Sequence, residues 1–86
     1  MSFKNKPLPI VDPHGNVCDG SAMRAVRLTD TGVGIYGENN RFVHFIREQD
    51  PARARHYRDE VAKLILARAE GRTYTPNWQT DEPTGD

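Results

Sequence analysis

Residues 50–71 constrain the fold more than any other stretch. Asp50 offers an oxygen to the exposed N–H groups of a helix start, and Pro51 fits a first-turn position where no N–H is needed. Gly71 supplies the left-handed residue that ends such a helix. Between them Ala54, Tyr57, Val61, Leu64, Ile65 and Arg68 recur at i, i+3, i+4 and i+7, which makes one apolar stripe. On the polar side Asp59 and Lys63 stand in the favourable i, i+4 order. A helix with one apolar stripe must bury it on something, and everything ahead of it reads as strand and turn. The expected fold is therefore α+β: a small antiparallel sheet of three to five strands with one C-terminal helix packed on one face.

The strand signal runs from Ala22 to Arg47. Segments 22–29, 33–37 and 41–47 are rich in Val, Ile, Phe and Tyr and are separated by turn residues. Asn39-Asn40 suits a two-residue type I′ turn, because asparagine tolerates positive φ. That register sets Tyr36 opposite Val43, Ile35 opposite His44 and Gly34 opposite Phe45. Thr29-Asp30-Thr31-Gly32 suits a type I turn closed by a glycine bulge, giving a three-stranded meander with 33–37 in the centre. Ahead of it, Asp12-Pro13-His14-Gly15 reads as a type I turn joining short strands at Ile10-Val11 and Asn16-Val17-Cys18.

Strand alternation sorts the meander into two faces. One carries Met23, Ala25, Val33, Ile35, Phe42, His44 and Ile46, with Arg27 an awkward member, and should take the helix. The other carries Arg24, Val26, Leu28, Tyr36, Arg41, Val43, Phe45 and Arg47. The helix cannot cover both. The second face must meet the N-terminal hairpin, the tail, a second copy of the chain or a partner, and a one-residue slip at the Asp30 turn would exchange the set from strand 22–29.

Length and composition set the outer bounds. Eighty-six residues make one small domain, read as 1–72, followed by an acidic tail over 73–86 with Asp81, Glu82 and Asp86 and no base, expected to be disordered apart from an open question over Trp78. Residues 24–72 hold ten Arg/Lys against seven Asp/Glu, so a mildly basic body hides behind a net charge of zero. Nine of the twelve bases are arginine, which binds carboxylates, phosphates and aromatic rings in ways lysine does not. No apolar run reaches the roughly 20 residues of a membrane span, and the first residues lack the apolar stretch of a signal peptide. One cysteine forms no internal disulfide, which points to a reducing, cytoplasmic setting.

No catalytic constellation stands out. Gly32-Val33-Gly34-Ile35-Tyr36-Gly37 fits G-x-G-x-x-G, but a turn precedes it and a hairpin follows where a dinucleotide site needs a strand and a helix. Turn closure at Gly32 and room for Phe45 over Gly34 explain the glycines better. Asp12, His14, Cys18 and Asp19 match no zinc spacing, and Ser2 and Ser21 have no fixed base. We expect neither metal nor cofactor nor enzymatic activity. The expected function is a non-catalytic protein–protein interaction module (an adaptor, an inhibitor or a homodimeric regulator) acting through Arg24, Tyr36, Arg41, Phe45 and Arg47. The alternative is a small nucleic-acid-binding regulator using the same face: Phe42-Val43-His44-Phe45 matches the end of an RNA-binding strand motif, although the rest of that motif is missing.

Overall fold

A computed structural model describes residues 8–80 of the chain; the expected disorder at 81–86 and the extended start at 1–7 lie outside the described residues. The order is β1 (Pro9–Val11), β2 (Val17–Asp19), β3 (Ala25–Thr29), β4 (Gly32–Tyr36), β5 (Phe42–Arg47) and α1 (Pro51–Ala69). β1 and β2 form one antiparallel hairpin, and β3-β4-β5 form a separate antiparallel sheet in sequence order. The fold is the expected α+β arrangement.

The turn chemistry acts where the sequence places it. The Gly15 amide donates to the Asp12 carbonyl at 3.0 Å, and Gly15 takes φ +90°, so Val11 meets Val17 across the first hairpin. Asn39 and Asn40 both adopt positive φ, and the Arg41 amide closes their turn on the Glu38 carbonyl at 3.0 Å. Asp50 caps α1 by accepting from the Arg53 amide at 3.2 Å. At the far end Gly71 sits at φ +76°, and the Arg72 amide reaches back to the Ala67 carbonyl at 2.7 Å. The pairing expected for Lys63 differs: it bonds Glu60 at 3.2 Å, while Asp59 bonds Arg58. Glu60 lies one residue from the apolar stripe and is itself buried, so it outcompetes the exposed Asp59.

The core lies between sheet and helix. Met23, Val33, Ile35 and Ile46 meet Ala54, Tyr57, Val61 and Leu64, all buried. Each fully buried aliphatic side chain contributes about 1.5–3 kcal/mol relative to exposure. Ile10 and Cys18 of the first hairpin pack against the same cluster. Asp12 ties that hairpin to the sheet by accepting from His44 Nε2 at 2.9 Å, and His14 Nε2 donates to the Arg47 carbonyl at 2.7 Å. The hairpin therefore shares the helix side of the sheet and does not cover the other face.

Two shifts re-sort the sheet faces. Thr29 pairs directly with Gly32, so Val26 stands opposite Ile35 and Leu28 opposite Val33. The assignment of Val26 and Leu28 to the second face is corrected: they join the core side, and Ala25 and Arg27 cross to the other. Putting Arg27 on the core side would strand a charge among apolar groups. The second shift is a bulge between Ile35 and Tyr36, after which Tyr36 pairs with Phe42 rather than Val43. The Gly37 amide bonds the Arg41 carbonyl while the Arg41 amide bonds Glu38, so the asparagine turn is one residue out of step with the strands it joins. Phe42 thus faces away from the core, and Val43 packs against it.

Among the described residues the segment after α1 carries neither helix nor strand, and its residues 74–78, Trp78 among them, are held on the domain. The buried Glu60 carboxylate anchors them. Its Oε1 accepts from the Tyr74 hydroxyl at 2.5 Å and the Asn77 amide at 2.8 Å, and its Oε2 from Lys63. Trp78 packs edge-on against Tyr57 with ring centroids 5.8 Å apart, and its Nε1 donates to the Val11 carbonyl at 2.7 Å.

Two buried carboxylates make the fold acid-sensitive. Burial alone would raise Asp12, but hydrogen bonds from His44, from the Asn16 and His14 amides and from the Asn16 side chain outweigh it and hold Asp12 below its ordinary value. Burial likewise opposes the Asn77, Tyr74 and Lys63 bonds at Glu60, and the bonds again prevail. A carboxyl lowered on folding stabilises above its unfolded pKa, and that stability is lost as pH falls through the folded value. Urea midpoints should hold from neutral pH down to about pH 5 and fall below about pH 4.5. In Asp12→Asn and Glu60→Gln chains the midpoint should start lower and fall less. An acid slope identical in all three would show that these groups do not carry it.

Candidate functional site

The sheet face turned away from the helix forms a three-by-three surface. By register its rows are Ala25–Tyr36–Phe42, Arg27–Gly34–Phe45 and Thr29–Gly32–Arg47. The two central glycines leave the middle of β4 bare, and Tyr36 lies back over one of them: a Cβ built on Gly34 would stand 2.7 Å from the Tyr36 hydroxyl oxygen. The expectation that Gly34 makes room for Phe45 is thereby replaced. Arg27 stacks over the same ring, its guanidinium carbon 4.9 Å from the centroid, and its Nη2 donates to Asn40 Oδ1 at 2.8 Å. Phe42 meets the ring edge-on at 6.2 Å. Tyr36 is thus enclosed, while Phe42 stays 61% exposed and Phe45 half-buried.

Three of the five residues expected at this site share the face: Tyr36, Phe45 and Arg47. Arg24 does not. It sits at the end of the sheet and donates to the Ser21 and Met23 carbonyls at 3.2 and 3.0 Å, the same pair that Arg68 reaches from α1. Arg41 pairs with Gly37 beyond the bulge, which puts it on the opposite face from Phe42. Two members were missed, Arg27 and Phe42. The signal for Arg27 was its own awkwardness on the core side; nothing in the sequence locates a bulge at Val43.

The electrostatics are one-sided. The three strands contain no Asp or Glu, and the two arginines stand on opposite edges of the surface, Arg27 midway along β3 and Arg47 at the end of β5. The Arg47 side chain has no partner among the described residues, whereas Arg27 is propped in place by Tyr36 and Asn40. Acidic residues flank the strands as Asp30 and Glu38 in the turns and as Glu48 just past β5, whose carboxylate accepts from the Asp50 amide at 3.1 Å.

Replacing Gly34 by alanine tests this geometry, since the new methyl would enter the space of the Tyr36 ring. The ring should swing out, the ring-current shift on the Arg27 side-chain protons should vanish, and stability should fall by about 1–2 kcal/mol. Unchanged Arg27 shifts would contradict the stacked arrangement.

The other side chains with chemical potential are occupied structurally. Asp12 is 3% exposed and accepts from His14, Asn16 and His44 together, which makes a clamp on the first hairpin. Burial, with Asp12 and Asp19 nearby, raises the Cys18 thiol above its ordinary value and keeps it protonated, a poor nucleophile. Among the described residues no group of three or more His, Cys, Asp or Glu is placed to hold a metal ion, and no helix is long and apolar enough to cross a membrane. A groove of about 590 Å³ runs between the first hairpin and the docked segment, lined by Ile10, Leu64, Tyr74 and Trp78 with Arg68 and Arg72 at one side. Both arginines are engaged, Arg68 by the Ser21 and Met23 carbonyls and Arg72 by Glu70 at 2.6 Å. Comparison of the chain with protein-family models, with curated proteins and with solved structures finds no match.

Proposed function

We propose that the chain is a non-catalytic protein-interaction module whose working surface is the open sheet face, with Phe42, Phe45, Arg27 and Arg47 as its contact residues and Tyr36 as their support. One observation carries the reading: the helix, the first hairpin and the docked segment 74–78 all lie on the same side of the sheet, and the face they leave bare combines aromatic rings with arginines. Those residue types are the ones enriched at protein interfaces. An exposed phenylalanine beside a half-buried one is the arrangement from which an anchor contact is made. The lone reduced Cys18 fits a cytoplasmic setting for such a module.

Nucleic acid is the less favoured occupant for a physical reason. Bases stack on free aromatic faces, and the Tyr36 ring already carries the Arg27 guanidinium and lies against Gly34. Two arginines fenced by Asp30 and Glu38 also make a short track for a phosphate backbone.

Photo-crosslinking tests the proposal. Benzoylphenylalanine at position 42, irradiated in native-cell extract, should give discrete protein adducts. The same group at Leu66, 59% exposed on α1, serves as the control and should give none. Equal adducts at both positions, or none at 42, would sink the proposal. An adduct at 42 that nuclease removes would transfer the face to nucleic acid.

A further inference from the structure

We infer that the partner presents an extended acidic segment to this face, with two carboxylates four residues apart flanking an apolar side chain. The inference rests on the protein-interaction reading and specifies its partner. The charge pattern comes first. Arg27 and Arg47 stand on the two opposite edge strands of a surface whose strands hold no acid, and Arg47 has no partner among the described residues. A second copy of the chain is a poor occupant, because its strands would present two more arginines and no carboxylate to pair with them. A partner carrying carboxylates satisfies both arginines at once, with the bidentate geometry that a guanidinium favours.

The spacing follows from the register. Arg27 lies two strands and one row away from Arg47, a separation of about 12 Å between Cα positions for ordinary strand spacings. An extended chain covers about 13 Å in four residues, and its residues i, i+2 and i+4 point the same way. A segment laid diagonally across the sheet therefore sets carboxylates i and i+4 over the two arginines. Residue i+2 then falls beside Phe45, over the end of β4 that Gly32 leaves bare, where an apolar side chain avoids a desolvation cost. Arg27 is already held upright by Tyr36 and Asn40, so little side-chain freedom is lost when it binds. Asp30 and Glu38 at the two turns repel a longer acidic run and limit the contact to a short segment.

The adduct formed at position 42 provides the test. Mass spectrometry of the crosslinked peptide should map it to a segment with two Asp or Glu flanking an apolar residue. Arg47→Glu should lower the adduct yield about tenfold, and lysine in place of the partner's two carboxylates should restore it to a chain carrying Arg27→Glu and Arg47→Glu. Arg47→Gln, with no reversed charge, should give an intermediate loss, and circular dichroism of each variant confirms that it is folded. An adduct in a neutral or basic segment, or full yield from Arg47→Glu, overturns the acidic-segment inference and leaves the interaction module standing. Absence of any adduct at 42 fails the module itself.

Discussion

Glu60→Ala should cost about 3 kcal/mol and free the segment 74–78 from the domain. The carboxylate is 3% exposed and carries the Tyr74 hydroxyl, the Asn77 amide and Lys63 at once. Hydrogen bonds to a charged group contribute about 1.5–3 kcal/mol each, and truncation also leaves their donors to find water. Trp78 reports the release directly. Its ring lies against Tyr57 and its indole N–H bonds Val11, so the native emission should be blue-shifted. In the alanine variant it should move to the water-exposed position while the far-ultraviolet dichroism of α1 persists. Glu60→Gln keeps an acceptor oxygen and should lose less, about 1 kcal/mol. Unchanged emission and an unchanged urea midpoint in Glu60→Ala would mean that the segment is held by something else.

Gly32→Ala should be more damaging still, at about 3 kcal/mol or above. Gly32 adopts φ +154°, and a Cβ there would stand 2.1 Å from the Ile46 carbonyl oxygen and 3.0 Å from Arg47 Cα. These are backbone atoms of the neighbouring strand, so no side chain can move aside, and β4 and β5 must separate where Val33 and Ile46 fill the core. A domain of this size has a margin of only a few kcal/mol, so the variant should be largely unfolded at 37 °C, as read by loss of near-ultraviolet dichroism. Gly71 makes the comparison: it also has positive φ, but nothing lies within 4 Å of its Cβ position, so Gly71→Ala should cost about 1 kcal/mol. Equal losses at the two positions would contradict the close approach of β5 to Gly32.

Much of the fold was legible in the sequence because local chemistry determines it. The cap at Asp50-Pro51, the stop at Gly71, the paired asparagines and the Asp12–Gly15 turn each act within a few residues, and each sits where its side chains demand. Registers were less legible, since they depend on how two turns fit the sheet between them. Pairing of Thr29 with Gly32 sent Arg27 to the open face, and the bulge at Val43 sent Phe42 there and removed Arg41. Glu60 was unreadable as an anchor for a different reason: its partners Tyr74 and Asn77 arrive from beyond the helix, and no periodicity announces a contact between a helix and an irregular segment. The open face therefore keeps Tyr36, Phe45 and Arg47 of the expected set, with Arg27 and Phe42 standing where Arg24 and Arg41 were expected.

Hydroxyl-radical footprinting of Phe42 tests most directly whether the open sheet face is the surface that this protein uses. In the purified chain Phe42 should oxidise as fast as an exposed phenylalanine at every protein concentration. In native-cell extract its rate should fall several-fold, while that of the equally exposed Leu66 on α1 stays the same. Protection of Phe42 already in the dilute purified chain, or no protection in extract, would contradict a free face awaiting a partner.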